Sequence, residues 1–282
     1  MATKNTAKIL LSCLLISSLN TLVFAQKLPN VQEKSIWASS PVKIDGKTSD
    51  VTFEAANKST MLSYTISNDE KNLYLVIKST DNMNNSKIMM GGITLSINTE
   101  GKKKENEGFS ITYPVIVRQA RGQATRSQGG TGGPGQRTLG NTDSAMLARR
   151  KQQLSASKEI KVLGFKDIRD TLISIYNEHE ISAMANFDEK GTFIYELALP
   201  LKALGLSPGS KEFAYNIKIN GRQFGGGFGG VGVVRSEGNA PGSGQGTGGG
   251  FGGGQGGGGR GGFDPSIFLP TDFWGKYTLA RK

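Results

Sequence analysis

The chain has 282 residues, a formal net charge of +11 at neutral pH and a single cysteine, Cys13. One cysteine excludes an internal disulfide framework and a cysteine-ligated zinc site, while the length is sufficient for a β-sandwich domain with its own core. Residues 118–161 contribute +7 of this charge, and residues 222–260 contribute a further +2. A basic surface of this kind is typical either of polyanion binding or of arginines that keep long loops soluble.

The first 25 residues are typical of a secretory signal peptide. Two lysines within the first eight residues form the positive region, residues 9–22 form the apolar stretch, and Val23-Phe24-Ala25 forms the predicted cleavage site. The apolar stretch is short and interrupted by polar residues, which argues against a retained membrane anchor. We therefore predict a mature chain of residues 26–282 that is secreted, periplasmic or exposed at the cell surface, with no transmembrane segment.

Beyond residue 40, apolar and polar residues alternate in the pattern typical of β-strands. A first hairpin is predicted from strands at residues 61–66 and 73–77, joined by a polar turn. Further strands are predicted at residues 92–98, 109–117, 171–176, 180–187, 192–199, 213–220 and 274–279. Many short strands separated by turn residues predict a mainly β fold, an antiparallel β-sandwich.

One inserted helix interrupts the series of strands. It is predicted from Ser144 to about Ser157, with Thr142 or Asp143 as its N-cap and a thin apolar stripe on one face. A short helical turn is also expected at residues 201–204.

Two glycine-rich segments separate predicted strands, at residues 119–140 and 222–263. Glycine makes up more than half of residues 221–262. Glycine loses much backbone entropy on folding and has no side chain to bury in return, so such a segment does not form a packed core. We therefore predict two long flexible insertions, both carrying arginines, within a single domain over residues 26–282. If the strands before them end at the same edge of the sandwich, the insertions form a joint basic face.

The strand and turn motifs, in their order along the chain, resemble carbohydrate-binding modules of family 9, within the wider group of DOMON-like sandwiches. Val42-Lys43-Ile44-Asp45-Gly46 resembles the family's I-D-G strand and turn, and Leu73-Tyr74-Leu75-Val76-Ile77 its L-Y-V-x-V strand. Glu196-Leu197-Ala198-Leu199-Pro200-Leu201 resembles the late E-x-x-I-P-L hairpin, and Phe273-Trp274-Gly275 begins a segment like the closing F-G-x-L-x-L strand. The resemblance implies a β-sandwich that binds sugar without catalysis.

Four residues are candidate ligand contacts. Trp37 and Trp274 are the only tryptophans, and an indole is a natural platform for the face of a pyranose ring. Trp274 is predicted either in the core or at an edge near the loop mouth. The resemblance places Arg222 at the end of a strand beside the sugar site, where a guanidinium could bind vicinal hydroxyls or a uronate. Arg118, at the start of the first basic segment, is the fourth candidate. The family's usual tryptophan after the I-D-G turn is replaced here by Phe53.

No metal, cofactor or catalytic site is predicted. The oxygen-rich segment at Asp81, Asn82, Asn84 and Asn85 contains one carboxylate, which is few for a calcium site. The single histidine, His179, lies in a predicted turn between two strands, where it is badly placed to ligate haem or to serve a catalytic triad. The glycine runs also lack the lysine of a phosphate-binding loop.

Two functions therefore remain open. The first is a secreted, non-catalytic module that recognises carbohydrate, including acidic glycans. The second is a structural or adhesive cell-envelope protein whose basic glycine-rich loops bind proteins or polyanions. An aromatic platform beside Arg222 would favour the first function, and two buried tryptophans would favour the second. Binding of a specific nucleic acid is not predicted, and the sequence does not predict an oligomeric state.

Overall fold

The computed structural model describes residues 27–49, 51–116, 143–207, 209–221 and 265–282. The predicted signal peptide at residues 1–25 and the predicted insertions at residues 119–140 and 222–263 lie outside the described residues, as do Arg118 and Arg222.

Two antiparallel sheets form the fold, as predicted. The five-stranded sheet has the order β1-β2-β3-β9-β8, from β1 (Ala55–Asn57), β2 (Leu62–Asn68), β3 (Asn72–Ser79), β8 (Ser182–Phe187) and β9 (Phe193–Pro200). The six-stranded sheet has the order β11-β10-β4-β5-β6-β7, from β4 (Ile93–Asn98), β5 (Phe109–Tyr113), β6 (Glu159–Leu163), β7 (Leu172–Ser174), β10 (Phe213–Ile219) and β11 (Thr271–Tyr277). The prediction of a mainly β, antiparallel sandwich is confirmed.

The core lies between the two sheets and follows from the period-2 alternation of the strands. Ile93, Leu95 and Ile97 of β4 are buried against the other sheet, which contributes residues such as Leu75 and Leu197. Each such side chain stabilises the fold by roughly 1.5–3 kcal/mol through the burial of apolar surface. The alternate residues of the same strands face outward, so the alternation decides what each outer face displays.

A buried hydrogen-bonded chain links the sheets inside this core. The hydroxyl groups of Tyr64 in β2 and Tyr215 in β10 are 2.8 Å apart, and the backbone N–H of Gln32 donates to the Tyr64 hydroxyl at 2.9 Å. The Gln32 side-chain amide also pairs with both backbone groups of Ile66, each at 2.7 Å, as a neighbouring strand would. Burial raises the pKa of both tyrosines, so the hydroxyls stay protonated over the physiological range.

The Tyr215 ring requires a glycine on the neighbouring edge strand. Gly275 of β11 pairs directly with Tyr215, and a Cβ atom at Gly275 would collide with the end of the Tyr215 ring. The absence of a side chain at position 275 therefore makes room for the ring whose hydroxyl reaches Tyr64.

Two helices accompany the sheets, one more than predicted. Helix α2 (Asp143–Ser155) is the predicted one, and 3-10 helices occur at Leu201–Leu204 and Pro265–Phe268. Helix α1 (Asn82–Gly91) occupies the segment that looked like an oxygen-rich loop. The Asp81 carboxylate there accepts the Asn84 N–H at 2.7 Å and so caps the helix. The apolar residues of α1 do not follow a helical period, which is why this helix was not predicted. Among the described helices, none has the length and apolarity required to cross a membrane.

Strands differ from the prediction mainly at their ends. β1 and β6 were not predicted, and β5 stops at Tyr113 rather than continuing to residue 117. Pro114 has no N–H to donate to a neighbouring strand, which explains why the ladder ends there.

We predict that Gly275→Ala destabilises the fold by about 1–3 kcal/mol or more, because the new methyl group and the Tyr215 ring cannot occupy the same space. Urea unfolding at equilibrium measures the loss. Gly205→Ala is the control, since Gly205 has a left-handed φ of 65° but open space around its Cβ position, so that only about 1 kcal/mol of backbone strain is expected. Equal losses in the two variants would contradict the collision.

Candidate functional site

The outer face of the six-stranded sheet is polar along its centre. The residues of β4 that point away from the core are Thr94, Ser96 and Asn98, all of them buried in spite of their polarity. On the neighbouring strand β5, Ser110 and Thr112 point the same way. Small hydroxyl and amide side chains at consecutive outward positions project only a short distance from the sheet and provide many hydrogen-bonding groups.

The strand register arranges these side chains in two rows across the sheet. The first row consists of Trp274, Asn216, Ser96, Ser110 and Leu163, each on a strand adjacent to the next. The second row consists of Asp272, Lys218, Thr94, Thr112 and Lys161. One row thus ends on an indole, and the other contains two lysines.

A groove of about 800 Å³ runs over the floor that β4, β5 and β6 provide. Pockets that take small ligands have volumes of about 300–1,000 Å³. The floor includes Thr94, Ser96, Ser110 and Thr112; the walls come from the end of α1, from the segment after β5 and from the β4–β5 loop. The groove is therefore large enough for a ligand of one or a few sugar units.

Part of the floor is fixed by hydrogen bonds among its own side chains. The Thr94 and Thr112 hydroxyls are 2.7 Å apart, and the Asn220 side-chain N–H donates to the Thr94 hydroxyl at 2.8 Å and to the Gly91 carbonyl at 3.0 Å. Gly91 allows this end of α1 to lie close to the end of β10, since a Cβ atom at position 91 would collide with the backbone of Asn220 and Gly221. Gly221 in turn lies against the backbone of Phe268, where a Cβ atom would also collide. This end of the groove is consequently rigid.

Unpaired polar atoms lie on Ser96 of the floor and on its cross-strand neighbour Asn216, which adjoins the groove without lining it. The Ser96 hydroxyl and the Asn216 side-chain carbonyl are buried and have no hydrogen-bond partner within the described part of the chain. The Asn216 amide N–H groups are used, since they donate to the Asp272 carboxylate at 2.7 Å and to the Phe273 carbonyl at 3.0 Å.

The β4–β5 loop, residues 99–108, folds back over this face. The Asn98 side-chain oxygen accepts the N–H groups of Glu100 at 3.0 Å and Lys102 at 3.3 Å, and its amide donates to the Glu107 carbonyl. Farther along the loop, the Glu105 carboxylate forms an ion pair with Lys218 on β10. The loop is thus held at its base by Asn98 and across the groove by Glu105.

The two tryptophans lie apart. Trp274 is half-buried on the outer face of the six-stranded sheet, beside Asn216, and not in the core between the sheets. Trp37 forms a bridge with Asn68 at the edge of the five-stranded sheet, where the preceding Ile36 N–H donates to the Tyr277 hydroxyl at 3.1 Å. Because Tyr277 is at the opposite end of β11 from Thr271, Trp37 lies at the other end of the sandwich from the groove's rigid end.

The two predicted insertions begin near the same end of the six-stranded sheet. Tyr113 of β5 and Ile219 of β10 both pair with Ile93, so β5 and β10 end at the same edge of the sheet, on either side of β4. Ile116 and Asn220, which lie just before the insertions, both line the groove. Arg118 and Arg222 follow within two residues in the sequence, and their placement remains a prediction.

His179 lies in the turn that the sequence predicted. Its backbone N–H donates to the Asn177 side chain at 3.0 Å, in the turn between β7 and β8. Across the described ranges, no group of three or more histidine, cysteine, aspartate or glutamate residues is placed to hold a metal ion.

Comparison with known proteins identifies similar structures. No protein family and no curated protein matches the chain. Similar solved structures include a carbohydrate binding module family 9 (CBM9) from Caldicellulosiruptor kristjanssonii in complex with glucose, and one in complex with cellotriose. Both are 10% identical to this chain with a TM-score of 0.28, and the match covers 67% of this chain and 79% and 77% of theirs.

The chain is similar to CBM9 modules. This is also the family that its sequence motifs resemble. A TM-score of 0.28 means that the chains do not superpose closely, so the chemistry of the groove must be inferred from this chain's own residues.

Sequence reasoning missed the floor of the groove. The signal was present in Ile93-Thr94-Leu95-Ser96-Ile97-Asn98 and Asn216-Ile217-Lys218-Ile219-Asn220, whose outward positions are nearly all small polar residues or lysine. Which of the polar positions become neighbours depends on strand pairing, which the alternation does not specify.

We predict that Asn98→Ala loosens the β4–β5 loop, because it removes the three hydrogen bonds at the loop's base. A loss of stability of about 1–3 kcal/mol is expected from the unpaired groups left behind. Limited trypsin digestion with mass spectrometry should show faster cleavage after Lys102, Lys103 and Lys104. Asn106→Ala, in the same loop and lining the groove, is the control. Equal cleavage rates in the two variants would contradict the role of Asn98.

Proposed function

We propose that the protein is a non-catalytic carbohydrate-binding module whose site is the outer face of the six-stranded sheet. One observation carries the proposal: the row Ser110, Ser96, Asn216 and Trp274, in which hydroxyl and amide groups lead across adjacent strands to a half-buried indole. A pyranose has hydroxyl groups around its edge and apolar C–H faces. This row offers a matching polar floor with an aromatic platform at its end.

The two lysines of the face suit acidic glycans among carbohydrates. Lys218 and Lys161 lie in the second row on either side of the Thr94 and Thr112 hydroxyls. An ammonium group next to hydroxyl groups suits a ligand that has both carboxylates and hydroxyls, as uronic acids do.

Binding without catalysis is part of the proposal. Among the described residues that line the groove, Glu105 is the single carboxylate, and it is paired with Lys218. Glycoside hydrolysis generally requires two carboxyl groups on either side of the scissile bond. Secretion rests on the signal-like residues 1–25, so the mature chain would meet glycans outside the cytoplasm.

We expect the mature chain to bind neutral or acidic oligosaccharides saturably when it is titrated with them in a calorimeter. Trp274→Ala should weaken binding about tenfold, because one stacking contact contributes roughly 0.5–1.5 kcal/mol. Trp37→Phe is the matched control and should bind as the parent does, since Trp37 lies away from the groove.

Two results would overturn this proposal. One is equal binding by Trp274→Ala and the parent chain. The other is a response only to polyanions that disappears with added salt and is unaffected by substitutions on the sheet face. That second result would support an adhesive envelope protein that binds through its basic loops.

A further inference from the structure

Two buried polar atoms on the sheet face lie next to each other without partners. Ser96 of β4 and Asn216 of β10 are directly opposed across the two strands, and they are 3% and 1% exposed. The Ser96 hydroxyl and the Asn216 side-chain oxygen both lack a hydrogen bond within the described residues. Ser96 lines the groove and Asn216 adjoins it. Buried polar groups are nearly always paired in folded proteins, so two adjacent exceptions beside a groove indicate a place that a ligand completes.

The orientation of the Asn216 amide is decided by its neighbours. Its nitrogen lies 2.7 Å from the Asp272 carboxylate and 3.0 Å from the Phe273 carbonyl, and both of these groups only accept hydrogen bonds. The amide oxygen must therefore be the unpaired atom. A ligand hydroxyl could donate to that oxygen and accept from the Ser96 hydroxyl, which satisfies both groups at once.

A cation lies two residues farther along the same strand face. Lys218 of β10 is paired with the Glu105 carboxylate of the β4–β5 loop, and the two side chains are 23% and 42% exposed. Lys218 is anchored in the middle of the sheet, whereas Glu105 belongs to a loop that folds over the face from outside. A partly exposed ion pair of this kind contributes little to stability, so another carboxylate can replace Glu105 at small cost.

We propose that Ser96, Asn216 and Lys218 form a subsite for a hexuronate residue, in which the Glu105 carboxylate occupies the position of the sugar carboxylate until the ligand displaces it. In a hexuronate the carboxylate is attached to C5 and a hydroxyl to the adjacent C4. The carboxylate would pair with Lys218, and a ring hydroxyl would bind Asn216 and Ser96. The β4–β5 loop thus acts as a strap that covers the subsite of its own chain, and it is released when an acidic sugar replaces Glu105 at Lys218.

This inference rests on the proposed carbohydrate-binding function and adds to it a ligand class and a competing residue. Removal of the Glu105 charge should strengthen binding of acidic sugars, because the ligand no longer competes with the protein's own carboxylate. Glu105→Gln retains the size and polarity of the side chain. Glu107→Gln is the matched control, since Glu107 lies in the same loop but pairs with Lys104 of that loop at 2.8 Å.

The experiment is calorimetric titration of the mature chain with trigalacturonate and triglucuronate, each compared with its methyl ester. The ester keeps the sugar and removes the charge. Of trigalacturonate and triglucuronate, we expect the one with the higher affinity to bind about tenfold more tightly than its methyl ester. Glu105→Gln should strengthen binding of that acid about fivefold and leave the ester unchanged. Lys218→Met should lower the affinity for the acid to that for the ester. Glu107→Gln should bind both ligands as the parent chain does.

The outcomes separate this inference from the proposed function. Equal affinities for acid and ester, both weakened by Trp274→Ala, would overturn the hexuronate subsite and leave carbohydrate binding in place. Acid binding that is unchanged in Glu105→Gln would overturn the competition by the strap. An absence of binding to all four ligands would overturn the subsite, while the neutral oligosaccharide titrations decide separately on carbohydrate binding.

Discussion

The hydrogen bond between Tyr64 and Tyr215 is the contact on which the arrangement of both sheets depends. It joins the sheets through the core, and it requires a glycine at position 275 beneath the Tyr215 ring. Once Gly275 must face inward, the period-2 geometry of β11 turns Trp274 outward. By the same rule an inward Tyr215 turns Asn216 outward, next to Trp274 in the register. The polar face that we propose as the binding site is therefore a consequence of how the core is built.

Two of the motifs that resemble family 9 modules, the I-D-G turn and the E-x-x-I-P-L hairpin, meet each other and support the fold. Glu196, from the E-x-x-I-P-L motif, is buried and accepts the backbone N–H groups of Asp45 and Gly46 from the I-D-G turn, each at 2.7 Å. Gly46 has a φ of 77°, and a Cβ there would come within 2.9 Å of Asn186. The two motifs meet because a buried carboxylate needs hydrogen-bond donors and a tight turn provides them. These two motifs therefore account for part of the fold and not for the chemistry of the groove.

The groove combines a rigid end with an adjustable side. Asn220, Thr94 and Thr112 are joined by hydrogen bonds next to the close contact between α1 and β10. The opposite wall is a surface loop held by Asn98 and by one partly exposed ion pair. A floor joined by hydrogen bonds keeps its own hydroxyl and amide groups in place, while a weakly held loop can open at small energetic cost. The predicted basic insertions begin beside the rigid end, where Ile116 and Asn220 line the groove.

The sequence by itself determined most of the strands, the sandwich class and helix α2, because alternation and capping are local signals that each segment carries alone. It did not determine helix α1, because the apolar residues of that segment do not follow a helical period. Nor did it place Trp274, since a half-buried indole on an edge strand fits either face until Gly275 is forced inward. Only the tertiary structure brought Ser96 next to Asn216, 120 positions later in the sequence. Such adjacency is set by strand pairing between distant segments, and period-2 alternation contains no information about which strands pair.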